Sequence, residues 1–206
     1  EQEQLLTQLP LGGSQFMKLW YDEHAKRPRA EFVPIDNIIL PFASVNFYTA
    51  QRVTEMQDIT EWEFKRRISQ GLYRDVSFIR ATMEPEETHA EKASNKVEGR
   101  KYQDNEDGLR RVYHIYTYLE IEEDKRTKGD MAPYILMIDS LDNEILGLYR
   151  NWEEGDETFT KLDWIIEFKF IPWRGAYAIG LPHLIGGLSA ALTGALRALL
   201  DTAHIN

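Results

Sequence analysis

The sequence predicts an α+β protein, in which strands and helices occupy separate blocks of the chain. Three observations lead to this fold class: a capped segment near 61–70, alternating apolar and polar residues between 109 and 170, and an apolar segment with helical periodicity near 182–203. At 206 residues, with 12% aromatic content, the chain is long enough to bury a core. We therefore expect residues 1–206 to form a single α+β unit.

A helix and a hairpin are the first predicted elements. Gln2–Leu9 is typical of a helix, which Pro10 and the glycines after it should end. Phe16–Asp22 and Arg29–Val33 are two strand-like segments joined by a short polar turn. Such a pair predicts an antiparallel hairpin.

Two short strands and a helix come next. Ile38–Leu40 is an apolar run between two prolines, and Arg52–Gln57 has the pattern of a further strand. The helix at Glu61–Gln70 has the clearest signals, because Thr60 is an N-cap residue and Glu63 stands where it closes a capping box. A glycine directly after this segment is a stop signal.

The chain becomes polar and charged between Met83 and Gly108, which predicts an exposed, flexible loop with at most a frayed helical turn. Asp104–Gly108 superficially resembles a calcium loop, but it lacks the alternating ligand positions and the distal Glu. A turn is the simpler interpretation. Beyond this loop we expect one antiparallel meander of four strands: Leu109–Ile121, Tyr134–Asp139, Ile145–Arg150 and Trp164–Phe170.

The C-terminal segment from Pro182 is a predicted apolar helix. Leucines recur at every fourth position, and small residues that let another backbone approach closely form a second row beside them. The leucine row is Leu184, Leu188, Leu192, Leu196 and Leu200, and the small row is Gly186, Ala190, Gly194 and Ala198. Three glycines and Arg197 argue against a membrane span, so we expect this helix to be buried against protein. Because it stops without an evident cap, and because no initiator Met precedes Glu1, we expect the chain to be a piece of a longer protein.

Composition excludes several classes of protein. The net charge of −10 disfavours tight binding to the phosphate backbone of nucleic acid, which requires positive patches. With no cysteine there is neither a disulfide framework nor a thiolate metal site. Short basic clusters, such as Lys65–Arg67 and the pair Arg110 and Arg111, are flanked by acids and predict solvated faces.

The residue patterns predict no catalytic, cofactor-binding or metal-binding residue. No serine lies in a Gly-x-Ser-x-Gly elbow, and the five histidines are scattered. His114 is expected as a strand residue at the edge of the core, and His183 as a capping or packing residue. Glu120–Asp124 is the one acidic cluster that a divalent cation would suit, although its adjacent basic residues favour a solvated turn.

The order of several residue strings resembles the portal proteins of short-tailed bacteriophages, the podoviruses. The strings with this resemblance are Leu9–Leu11 with Gly13, Leu19–Asp22, Glu31–Pro34 with Asp36, Arg52–Thr54, Leu72–Asp75, Pro133–Ile135, Tyr149–Trp152, Lys169–Pro172 and Gly180–Leu188. The last is the most specific, and the similarity continues through Thr193, Leu196, Arg197, Leu200 and Asp201. The bend at Arg174–Ala178 departs from the family pattern, in which a more glycine-rich segment is expected, and the 83–108 loop is not placed by the resemblance.

The resemblance implies a structural protein and no enzyme. Portal subunits form a homo-oligomeric ring of about twelve copies at one capsid vertex. Double-stranded DNA passes through its channel non-specifically, and terminase, capsid or scaffold proteins and tail proteins dock on it. The chain would be an internal part of such a subunit, from the wing region, in the virion or, during assembly, in the cytoplasm of the bacterial host. The source would be a phage or a prophage, and neither a cofactor nor a membrane is implied.

Two other functions remain open from the sequence. One is a metal-dependent hydrolase or nuclease that uses the acids of Glu120–Asp124. The other is an adaptor whose C-terminal helix binds a partner helix.

Overall fold

A computed structural model of the chain describes residues 1–22, 25–75, 89–99, 109–127 and 129–205. It has helices and antiparallel sheets, so the predicted α+β class is confirmed. The chain, expected as one unit, divides into two compact units. Unit 1 comprises Glu1–Ile35, Ser44–Thr49 and Asp163–Asn206, and unit 2 comprises Asp36–Ala43 and Ala50–Leu162.

Unit 1 contains helix α1 (Gln2–Gly12), strands β1 (Ser14–Asp22) and β2 (Arg27–Val33), and two elements from the end of the chain, β8 (Ile165–Lys169) and α4 (Leu181–Ile205). The three strands form an antiparallel sheet in the order β2-β1-β8. The predicted hairpin is therefore confirmed. Helix α1 continues through Pro10 to Gly12, so the expected break at Pro10 comes two residues later.

Unit 2 is built on a five-stranded antiparallel sheet in the order β3-β4-β5-β6-β7. Its strands are β3 (Ile38–Ile39), β4 (Arg52–Ile59), β5 (Arg110–Glu120), β6 (Met131–Asp139) and β7 (Ile145–Arg150). The prediction of a four-strand meander is wrong in its last member, because β8 pairs with β1 in unit 1. Alternating apolar residues predict a strand but not the strand with which it pairs. The pairing of β8 with β1 could therefore not be predicted from the sequence pattern.

Helix α2 (Glu61–Ser69) confirms the predicted capped helix of unit 2. The Thr60 side chain accepts a hydrogen bond from the backbone N–H of Glu63, and the helix ends before Gly71, which has a φ of +75°. Its Phe64 side chain is fully buried in a cluster with Ile59, Tyr73, Val112 and Leu146. Burial of this one apolar face, with charged residues on the other, explains why a helix of nine residues is stable here.

The predicted loop at 83–108 contains helix α3 (His89–Glu98). The rest of that prediction, residues 83–88 and 100–108, lies outside the described residues, and so does the proposed turn at Asp104–Gly108. The segment is therefore more helical than its charged composition predicts.

Glu167, on β8, is a buried carboxylate in the sheet of unit 1. Its side chain is 1% exposed, Ser14 Oγ donates to its Oε1 at 3.2 Å, and Lys169 Nζ lies 3.3 Å from its Oε2. Burial raises the pKa of Glu167 above its ordinary value of 4.5, and Lys169 opposes that shift only in part. A carboxyl whose pKa is raised on folding stabilises the folded state at low pH and loses that contribution as the pH rises through the folded-state pKa.

We therefore expect Glu167→Gln to flatten the pH dependence of stability. As the pH rises above 4.5, the free energy of unfolding of the unsubstituted chain should fall relative to that of the variant, because only the native carboxyl must ionise in a buried site. Urea unfolding at several pH values measures this difference. The matched control is Glu153→Gln on the exposed surface, which should follow the unsubstituted chain. If the free energy of unfolding changes with pH in the same way for Glu167→Gln and for the unsubstituted chain, the prediction is wrong.

Candidate assembly surface on the C-terminal helix

Helix α4 begins at a defined cap. Pro182 occupies its first turn, where a missing backbone N–H costs nothing, and the backbone N–H of Gly180 donates to Nδ1 of His183 at 3.3 Å. The expectation that His183 caps or packs is confirmed. The predicted apolar helix near 182–203 is confirmed as well, extended by one residue at its start and two at its end.

The start of α4 is held against the end of α1 by two glycines. A Cβ on Gly180 would lie 2.5 Å from the backbone oxygen of Leu11, and a Cβ on Gly13 would lie 2.5 Å from the backbone oxygen of Ala178. Gly13 also has a φ of +83°, which side-chain-bearing residues rarely adopt. These two glycines therefore let the two backbone segments approach to direct contact.

Beyond this junction α4 is exposed. Eight large apolar side chains are each between 40% and 75% exposed: Leu181, Leu184, Ile185, Leu188, Leu192, Leu196, Leu199 and Leu200. Apart from the adjacent residues and the backbone of α4 itself, no described atom lies within 4 Å of the position that a Cβ would take on Gly186, Gly187 or Gly194. The expectation that the helix is buried against protein is wrong within the described chain. Apolar composition indicates that a helix needs cover, but it does not say which chain provides it.

The apolar side chains and the small residues of α4 lie on opposite sides of the helix. At 3.6 residues per turn, the eight large residues fall within a sector of about 160°, which we call the leucine face. Gly186, Gly187, Ala190, Gly194 and Ala198 fall on the other side, which we call the small face. The leucine row and the small row were expected to run side by side. They do not, because two positions along an α-helix correspond to a rotation of about 200° around its axis.

Within the described part of the chain, Leu181–Ala203 is one helix that is long and apolar enough to cross a membrane by length and composition. None of it is buried. Core helices and signal sequences meet the same two criteria, so this observation is weak evidence for a membrane span. Arg197 and Asp201 lie near its end, on the side of the small face, where a bilayer would disfavour their charges.

The acidic residues of Glu120–Asp124 do not converge. Glu120, Glu122 and Glu123 are exposed, whereas both carboxylate oxygens of Asp124 accept hydrogen bonds from Arg150, at 2.6 and 2.7 Å. The Arg150 guanidinium holds the pKa of Asp124 well below its ordinary range. Among the residues that the structure describes, no group of three or more His, Cys, Asp or Glu could hold a metal ion. The geometry therefore gives no support to a hydrolase at this cluster.

A cavity of about 450 Å³ opens beside Asp124 in unit 2, with Ile121, Tyr134, Leu148 and Arg150 in its lining. Tyr134 Oη donates to Asp124 at 2.9 Å, so the polar groups on this wall already bond one another. Asp124, Tyr134 and Arg150 are therefore occupied with one another.

A buried polar network in unit 2 is missing from the sequence predictions. His114 on β5 is buried, and its Nε2 lies 3.0 Å from Oη of Tyr73, to which Arg67 donates at 2.7 Å. Glu55, which is 2% exposed, stands opposite His114 on β4 and accepts a hydrogen bond from Gln57. Burial raises the pKa of Tyr73. His114 is thus a core residue and not an edge residue, and only the β4–β5 register could have revealed this pairing.

The basic pair Arg110 and Arg111 is also placed differently from the prediction of a solvated face. Both residues are buried, and each makes a bidentate ion pair, Arg110 with Asp139 and Arg111 with Asp58. By contrast Lys65 and Arg66 are exposed as expected.

Of the remaining histidines, His24 lies outside the described residues, and His89 and His204 fall in α3 and α4.

No protein-family model matches this chain, and none of the curated proteins compared with it matches either.

Proposed function

We propose that the chain is part of a portal subunit of a short-tailed bacteriophage or prophage, a structural component of the ring through which DNA is packaged and ejected. The observation that carries the proposal is α4, a helix of 25 residues whose apolar side chains are exposed along its length. An apolar helix of this kind needs a protein or lipid neighbour. A subunit that assembles with other copies provides one.

The contact between α1 and α4 supports the same proposal. Leu9–Leu11 with Gly13, and Gly180–Leu188, are two of the strings that resemble portal proteins, and more than 150 residues separate them. In the structure they meet, because Gly13 and Gly180 each lie against the backbone of the other segment. Two matching strings that form one junction are stronger support than two isolated matches, since a single backbone contact requires both.

The electrostatics suit a conduit for DNA. With a net charge of −10 the chain as a whole does not attract phosphate groups electrostatically, so a polyanion can move past it. Terminase, capsid and tail proteins are the partners that this function requires, and the ring belongs to the virion. No enzymatic step is part of the proposal.

The direct test is negative-stain imaging of the complete gene product at assembly concentrations. Rings with a central channel are the expected result, because symmetric assembly through one repeated contact closes into a ring. Only monomers under these conditions would overturn the proposal.

A substitution on α4 tests its part in assembly. We expect Gly194→Leu in the complete gene product to prevent ring formation, because the new side chain stands on the small face and blocks close approach. The same change in the chain alone should leave the fold intact or slightly more stable, since nothing described lies within 4 Å of that position and Leu favours a helix more than Gly does. Thermal unfolding measures the second effect.

Ser69→Leu is the matched control for this substitution, because it adds the same side chain to the exposed surface of α2. Rings should persist in this variant. If Gly194→Leu unfolds the chain, α4 belongs to a core and the proposed role in assembly is wrong.

A further inference from the structure

The two sides of α4 are complementary to each other. The leucine face presents large side chains that project from the helix, whereas the small face between Gly186 and Gly194 presents glycines and an alanine that leave the backbone accessible, with Arg197 and Asp201 on the same side near the end of the helix. Projecting side chains on one helix pack into the space that small residues leave on another. Because the two faces point in opposite directions, one helix can receive a neighbour on each side.

We infer that the leucine face of α4 packs on the small face of α4 in a second copy of this chain. The contact rests on the proposed function, since it is the subunit contact of the proposed ring. Each copy then contributes its leucine face to one neighbour and its small face to the next. Such a head-to-tail contact propagates, and it gives a ring when the rotation between copies closes.

The available area fits this occupant. The eight exposed side chains of the leucine face offer on the order of 800 Å² of apolar surface, which is what one partner buries in a stable protein interface. Its eight residues are all Leu or Ile, and no charged residue lies in α4 before Arg197, so two copies that each have a net charge of −10 meet along an uncharged stretch of the helix.

A second copy fits α4 better than the other occupants do. A partner helix of unrelated sequence would cover one face and leave the other exposed, whereas a second copy covers both faces with surfaces that the chain already has. A bilayer would surround the whole helix, whereas a second copy that packs on the small face between Gly186 and Gly194 leaves Arg197 and Asp201 beyond the contact.

Disulfide cross-linking tests the contact, because the chain has no native cysteine to interfere. Leu192→Cys places a thiol on the leucine face and Ala190→Cys places one on the small face. The double variant is made in the complete gene product, with any cysteine elsewhere in it replaced, and is oxidised and separated on a denaturing gel. We expect a ladder of cross-linked oligomers. Each single variant should give no cross-linked product, since a head-to-tail contact never brings two identical positions together.

The outcomes separate the contact from the proposed function. Rings without a ladder would overturn the α4 contact and leave the portal proposal standing. A ladder without closed rings would support the contact and overturn the portal proposal. A dimer from either single variant would show a two-fold contact and overturn the inference. Flotation of the unsubstituted protein with phosphatidylcholine vesicles would identify lipid as the occupant and overturn it as well.

Discussion

Replacing Gly13 with alanine is expected to destabilise the chain by about 2–5 kcal/mol, the sum of a backbone cost and a steric cost. The backbone cost arises because Gly13 has a φ of +83°, a conformation that disfavours any residue with a Cβ. The steric cost arises because the new Cβ would lie between 2.5 and 2.7 Å from backbone atoms of Ala178, Ile179 and Gly180. Backbone atoms cannot rotate away as a flexible side chain can, so the junction between α1 and α4 must open.

Gly71→Ala measures the backbone cost of a positive φ without the steric cost. Gly71 has a similar φ of +75°, but no described atom lies within 4 Å of the position of its Cβ. We expect the free energy of unfolding of this variant to fall only by the backbone cost, about 1–2 kcal/mol. Urea unfolding of both variants measures the difference. Equal losses would show that the close approach at Gly13 does not contribute to stability. If Gly13→Ala is recovered only as unfolded protein while Gly71→Ala folds, the prediction holds as well.

Local signals predict the elements of this fold better than they predict its pairings. Thr60 and the glycine after α2 bound a helix that the structure reproduces within one residue, because capping is decided by neighbours in the chain. The partner of β8 is decided by a strand about 150 residues away, and alternation in β8 is the same whichever sheet it joins. The division into two units follows from that pairing, since unit 1 joins the two ends of the chain.

The candidate surface was predictable as a helix but not as an exposed one. Leucines at every fourth position of α4 indicate a helix that must be covered by other residues, and the simplest expectation is that the same chain covers it. Whether a neighbour lies within one chain or in another is a property of the assembly, which a single sequence does not encode locally. The same reasoning explains Arg110, because charged residues are rarely buried and only its cross-strand position brings a buried carboxylate to it.

The ion pair of Arg110 and Asp139 links two strands of unit 2 below helix α2. Arg110 Nε and Nη2 donate to the two carboxylate oxygens of Asp139 at 2.9 and 2.6 Å, and the two side chains are 6% and 0% exposed. The guanidinium also lies over the ring of Phe64, with its Cζ 4.4 Å from the ring centroid. Asp139 is thus the nearer and the more buried of these two acids, because Asp142 is 3.8 Å away and half exposed.

We expect Asp139→Ala to lower the free energy of unfolding by about 3–5 kcal/mol, because it removes the carboxylate that forms a bidentate ion pair with a buried guanidinium. The matched control is Asp142→Ala, which removes a carboxylate from the same arginine but should cost no more than about 0.5 kcal/mol, since that side chain faces solvent. Urea unfolding at pH 7 compares the two.

The double variant Arg110→Met with Asp139→Leu should recover most of the loss, because it removes both charges and keeps an apolar contact with Phe64. A loss for Asp139→Ala as small as that for Asp142→Ala would mean that the buried pair is not what stabilises the contact between β5 and β6. A double variant that unfolds as readily as Asp139→Ala would instead assign the loss to packing around Asp139.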